Sequence, residues 1–251
     1  MGQLDVSVRA AVDSDFNSIN RVAFLAWEED PVIDFQAPNS LNYVDDYRTL
    51  ISRIASRALH SPTGLTFVAE TVPTTDYQAP KMAGFCSMER MVVKEGRYNT
   101  REAKLAAQRS VERQWKQLQD HFKLFEVSRH RTAAFRYTEE AQYHNMTVKR
   151  GLTSWWWISC LATDPEYKGQ GVAVRILEWF CTIADFGDQW IGVSCCPEAA
   201  PLYKYLGFKV YKVYTVQIKG DFEEQQVVVL HRRPTARKPR APTIGGVSLL
   251  E

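Results

Sequence analysis

The residues best suited to chemistry lie in one short run, Leu161-Ala162-Thr163-Asp164-Pro165-Glu166-Tyr167-Lys168-Gly169-Gln170-Gly171-Val172-Ala173. An apolar, β-rich segment from Trp155 leads into it, and Asp164-Pro165 stops that strand. Gly169 and Gly171 let the backbone approach a ligand closely. A helix starting near Val172 turns its unpaired first-turn N–H groups back on the turn. Such a turn binds an anion, and phosphate is the anion it suits. A dinucleotide fingerprint would need a third glycine and an early place in a βαβ unit, and a P-loop would need Gly-Lys-Ser/Thr. Neither pattern is present.

Other reactive side chains are more ambiguous. Cys195-Cys196 could be a nucleophile, but no histidine stands beside the pair, so a place in the core or a pocket wall is expected. Glu28, Glu29 and Asp30 sit in a loop after the first helix, and Glu70 and Glu89 at strand ends. Each is a candidate base or amine-binding carboxylate, with a solvated charge as the bland alternative. His231 reads as a surface or packed histidine. Trp155-Trp156-Trp157 alternates, so Trp155 and Trp157 share one face and Trp156 takes the other. Packing accounts for them, and an aromatic cage for a cation is the sharper alternative.

These residues need a scaffold. Val6–Ala10 reads as a strand, and Asp13 as the cap of an amphipathic helix carrying Phe16, Ile19, Val22 and Ala23. A second helix is predicted over Tyr43–Leu59, and a hairpin from Thr66–Glu70 and Met82–Met88. The Lys94–Arg150 stretch is rich in charge, and its apolar spacing predicts a long amphipathic helix near Thr100–Phe125. After the glycine turn come a helix through Ile183, a strand at Trp190–Ser194, a helix at Glu198–Tyr205 closed by Gly207, and an antiparallel pair, Lys209–Ile218 with Gln226–His231. One domain over 1–231 is expected, with 94–150 as its insert and 232–251 as a basic, proline-containing tail.

A second motif decides what the turn resembles. Ala199-Ala200-Pro201-Leu202-Tyr203-Lys204-Tyr205-Leu206-Gly207-Phe208 follows the next strand. With Lys168-Gly169-Gln170-Gly171-Val172-Ala173 it resembles the GCN5-related N-acetyltransferases (the GNAT superfamily), over about Trp155 to Phe208. Lys168 replaces that family's Gln or Arg, and Cys196 stands where many relatives carry Asn. The resemblance implies an α+β fold: a mixed, mostly antiparallel central sheet flanked by helices, with a helical insert between strands three and four. It also implies acetyl-CoA as acyl donor. Lys168, Gly169, Gln170, Gly171, Val172 and Ala173 would hold its pyrophosphate, and the backbones of Leu161 and Thr163 its pantetheine arm. Tyr203 would be the general acid for the departing thiolate, and Gly192 would help open the sheet. The loop of Glu28, Glu29 and Asp30 would wall the acceptor pocket. A small-molecule amine is the expected acceptor. A protein N-terminus or lysine, or acyl-CoA binding without transfer, remain as alternatives.

Composition agrees with a soluble globular chain. In 251 residues, 45% are hydrophobic and 24% charged, enough to build a core without disulfide or metal. The net charge of +2 gives no reason to expect nucleic acid as a partner. No secretory h-region, membrane-length apolar run or zinc-type Cys/His spacing is seen, so a cytoplasmic, metal-free protein is expected. The five cysteines are expected to be buried free thiols.

Overall fold

The computed structural model describes residues 4–28, 30–36, 44–73, 79–93, 142–143, 145–217, 224–235, 243–244 and 247–248. The helix predicted near Thr100–Phe125 lies outside them, as do Glu29 and the turn at Lys219-Gly220-Asp221.

The strands are β1 (Val6–Ala10), β2 (Gly64–Thr71), β3 (Met82–Val92), β4 (Ser154–Thr163), β5 (Ile191–Cys195), β6 (Lys209–Gln217) and β7 (Glu224–Arg232). They form one sheet in the order β1-β2-β3-β4-β5-β7-β6. Every neighbouring pair is antiparallel except β4 and β5, which run parallel. Helices α1 (Phe16–Trp27), α2 (Pro31–Gln36), α3 (Val44–His60), α4 (Val172–Phe186) and α5 (Ala200–Tyr205) flank it. The expected mixed, mostly antiparallel sheet is therefore present.

Helical periodicity assigns each helix to a face. Ile19, Val22, Ala23 and Trp27 of α1 recur at helical spacing and, with Tyr47, Ile51 and Ala55 of α3, cover Val68, Phe85 and Ala162. On the opposite face, Val172, Ile176, Phe180 and Ala184 of α4 recur every four residues. They pack on Phe67, Ala69, Cys86, Ile191, Val193 and Leu230. Gly84 lets α4 come close, because a Cβ there would stand 3.0 Å from Val172 Cγ1 and 2.7 Å from the Ala162 carbonyl. Helix α5 lies on the α4 side.

Several local expectations change. The carboxylate at the start of α1 is Asp15, not Asp13. Asp15 accepts from the Val12 N–H at 2.8 Å and is clamped by Arg9 at 2.7 and 2.8 Å. Arg9 also holds Glu70, at 2.6 and 2.9 Å. Helix α2 was not anticipated; Asp30 caps it, accepting from the N–H groups of Val32 and Ile33 at 2.8 and 3.1 Å. The supposed tail does not begin at residue 232. Arg232 ends β7, is 7% exposed, and pairs with Asp185 of α4 through bonds of 2.6 and 2.7 Å. Farther on, Thr243–Ile244 and Val247–Ser248 form a short antiparallel ladder of their own.

No helix among the described residues is long and apolar enough to cross a membrane.

Candidate active site

The glycine turn has the predicted form. Gly169 has φ 78° and Gly171 φ 87°, the left-handed region that glycine adopts without a Cβ penalty. Gly171 is the residue before α4 and offers no side chain to cap the first-turn N–H groups of Val172 and Ala173. Within the turn the N–H of Lys168 bonds to the Pro165 carbonyl (3.3 Å) and that of Gln170 to the Tyr167 carbonyl (3.2 Å). Those two amides are engaged. No backbone partner outside the helices is seen for the amides of Gly169, Gly171, Val172 and Ala173 among the described residues, and a fifteen-residue helix adds its positive end beside them. Lys168 is exposed at the rim.

Strands β4 and β5 pair only through Trp156–Ile191, Trp157–Gly192 and Ile158–Val193, then part. The cause is a bulge at Ser159. Cys160 lies opposite Ser87 and Ile158 opposite Met88, so Ser159 has no partner. The Ser159 hydroxyl donates to the Ser87 carbonyl at 3.1 Å, which fixes the bulge. Past it the alternation is reset. The Asp164 N–H bonds to Ala83 of β3 at 2.9 Å, so Leu161 and Thr163 turn their backbone groups away from β3, into the opening. The Trp27 indole N–H reaches the Leu161 carbonyl at 3.4 Å. Gly192, whose region was expected to help open the sheet, is itself still paired with Trp157, one pair before the strands part. A Cβ there would strike the Trp157 ring at 2.6 Å, so this glycine instead makes room for Trp157.

Tyr203 of α5 is 3% exposed and stacks edge-on against Phe208, 5.5 Å between centroids. Burial pushes its phenol well above the ordinary value, and the thiols of Cys86, Cys195, Cys196 and Cys160 add to this. Those cysteines come from β3, β4 and the end of β5, so Tyr203 faces the parting of the strands. Burial likewise raises Cys160, Cys181 and Cys195 to about 12 and Cys86 well above its ordinary value. The thiols are therefore protonated near neutrality, which argues against a thiolate nucleophile. Cys86 and Cys181 are buried as expected, whereas Cys160, Cys195 and Cys196 are only partly so.

On the opposite face, beneath α3, lies a cavity of about 350 Å³. Its lining includes Glu89, Arg57, Trp155, Trp157, Ser159 and Cys160. Ser159 and Cys160 directly follow the last β4–β5 pair, so the cavity meets the opening from the far side. The tryptophans divide as the alternation predicts: Trp156 packs on Phe180 of α4 at 5.9 Å, while Trp155 and Trp157 line the cavity. The carboxylates also separate. Glu28 is exposed, and Glu70 is held by Arg9. Asp30, raised by burial and by nearby Glu198, sits at the Cys196–Glu198 turn, outside the cavity lining.

His231 of β7 is 3% exposed and neither ring nitrogen has a hydrogen-bond partner among the described residues; Tyr211 stacks on it at 5.1 Å. Burial, then the charge of Arg150, lowers it to about 4. The sequence suggested its packing but not this isolation. No group of His, Cys, Asp and Glu among the described residues could hold a metal.

No protein-family model matches the sequence. No curated protein matches it either. Solved structures do. A histone acetyltransferase HPA2 and related acetyltransferase from Corynebacterium glutamicum aligns over 94% of this chain and 100% of its own, with TM-score 0.55 and 16% identity. The Drosophila melanogaster polyamine N-acetyltransferase aligns over 91% and 100%, at TM-score 0.58 and 13% identity. A putative arylalkylamine N-acetyltransferase 7 from Aedes aegypti aligns over 92% and 88%, at TM-score 0.61 and 13% identity. The chain has the fold of these N-acetyltransferases.

Proposed function

We propose that the chain is an acyl-CoA-dependent N-acyltransferase that moves the acetyl group of acetyl-CoA to a small-molecule amine by direct attack in a ternary complex. The observation that carries this is the parting of β4 and β5 at the Ser159 bulge, with an anion turn on one face and a cavity on the other. The solved structures of the same fold include enzymes named for polyamine and arylalkylamine acceptors, which supports a small amine.

The amides of Gly169, Gly171, Val172 and Ala173, at the turn and the start of α4, fit a pyrophosphate, and Lys168 adds a positive charge at the rim. The open edges of Leu161 and Thr163 fit an amide-bearing arm, added like a strand. Bound there, acetyl-CoA supplies an activated acyl group. Backbone N–H groups at the parted strands polarise the thioester carbonyl. Tyr203 remains protonated across the working pH range, so it can donate to the sulfur as the C–S bond breaks. The five unpaired cysteines support a reducing, cytoplasmic setting.

Calorimetric titration with acetyl-CoA, followed by thiol release in the presence of an amine panel, tests this. Saturable binding and amine-dependent release are expected. A folded chain that does not bind acetyl-CoA would refute the assignment.

A further inference from the structure

We infer that the cavity beneath α3 is built for a monocationic amine with an apolar, ring-sized body, and that Glu89 holds its ammonium group; this rests on the acyl-transfer reading above. Glu89 lies on β3 directly opposite Trp157 of β4, and its side chain is 23% exposed. It shares the cavity with Trp155, Trp157, Tyr143, Ile54 and Met91. Trp155 and Tyr143 meet edge to face at 5.1 Å and form a firm aromatic wall. A volume of about 350 Å³ matches one ring on a short chain and lies at the small end for ligand pockets.

The charges are arranged asymmetrically. Glu89 lies within the cavity, where aromatic faces also attract a cation. Arg57 stands 3.7 Å from it, with its own side chain 76% exposed. An ammonium entering from the rim can displace this long, exposed pair and take the carboxylate. A second positive charge on the same acceptor would face Arg57 and be repelled. The pocket therefore selects against dications, although it accepts a monocation. Ser159 and Cys160 place the held nitrogen beside the opening between β4 and β5. The nitrogen's proton passes to Glu89 and on to water. Its lone pair then forms the C–N bond, the C–S bond breaks, the sulfur takes its proton from Tyr203, and the second proton shed by the new amide nitrogen returns through water to the Tyr203 phenolate.

The experiment titrates the full chain, loaded with CoA, with phenethylamine, putrescine and L-phenylalanine by calorimetry, alongside Glu89→Gln and Arg57→Gln. Phenethylamine is expected to bind best and to lose about tenfold to a hundredfold in Glu89→Gln, with acetyl-CoA affinity unchanged. Putrescine is expected to bind weakly and to gain in Arg57→Gln. Amine binding indifferent to Glu89→Gln, or a preference for putrescine or L-phenylalanine, overturns the inference. If Glu89→Gln fails to fold, the exposed Arg57 decides: an unchanged ratio of putrescine to phenethylamine overturns it. Thiol release separates the two readings. Transfer without Glu89 dependence removes this pocket and keeps the enzyme. Glu89-dependent amine binding without transfer keeps the pocket and removes the enzyme.

Discussion

Tyr203 combines a readable position with an unreadable environment. The Leu-Tyr…Leu-Gly-Phe motif marks it in the sequence, but only the packing buries its hydroxyl, with burial the main cause of its raised pKa and the charges of Cys86, Cys195, Cys196 and Cys160 adding to it. A phenol raised in this way is a weak acid. In the proposed reaction it would contribute as a hydrogen-bond donor whose proton moves fully only once charge has developed on a desolvated sulfur. Tyr203→Phe is expected to lower kcat by about a hundredfold or more with little change in acetyl-CoA affinity. Steady-state kinetics paired with calorimetry check this. Weaker binding at unchanged kcat would reduce Tyr203 to a packing residue. Glu89 shows the reverse case. The sequence offered it only as one of several candidate carboxylates, because the aromatic residues that share its cavity come from β4 and from Tyr143.

At the scale of elements, two devices shape the candidate site: the left-handed glycines before α4 and the bulge in β4. The first was legible, because Gly-x-Gly after an apolar strand has few other uses. The second was not, since no residue type marks Ser159 as unpaired; the bulge exists only in the register of β3 against β4. Strict alternation places Trp155 and Trp157 correctly because they precede the bulge. Past it, the backbone of Leu161 rather than Ile158 or Cys160 faces the opening. Gly171→Ala is expected to destabilise the fold by about 1–2 kcal/mol, the left-handed penalty of an L-residue. Acetyl-CoA binding is expected to weaken about tenfold, as the turn relaxes and its amides lose their common aim. Chemical denaturation and calorimetry read the two effects separately, and acetyl-CoA affinity equal to wild type would contradict the assignment of this turn.

At the scale of the whole molecule, two buried groups tie the C-terminal strands to the rest. Burial alone would raise Asp185, but the bonds from Arg232 and Thr235 outweigh it and hold the carboxyl below its ordinary value. His231 is held neutral, lowered from 6.5 to about 4. Both shifts act in the same direction. The unfolded chain binds the proton first, so stability is full above pH 6.5 and falls as the pH drops toward 4 for His231. Below the ordinary aspartate range Asp185 continues the loss. The His231 part amounts to about 3 kcal/mol. Thermal melts of wild type and His231→Gln between pH 7 and 4 are expected to show a steeper loss in the wild type. Parallel curves would mean that His231 is charged in the fold.

The sequence by itself determined the strand and helix order it could reach, the glycine turn before α4, the motif that carries Tyr203 and the resemblance that joins them. These depend on local periodicity, on glycine's freedom at positive φ, and on motifs contiguous along the chain. It also placed the tryptophans on their correct faces, because alternation is a property of a single strand. Tertiary structure decided where the sheet opens and which carboxylate, among Glu28, Asp30, Glu70 and Glu89, lines the cavity. It also decided that Arg232 belongs to the core. Each depends on register or on partners distant in sequence: Ser159 on Ser87, Glu89 on Trp157, Arg232 on Asp185. Pairing energies between distant residues leave no local pattern, so only the folded sheet reveals them.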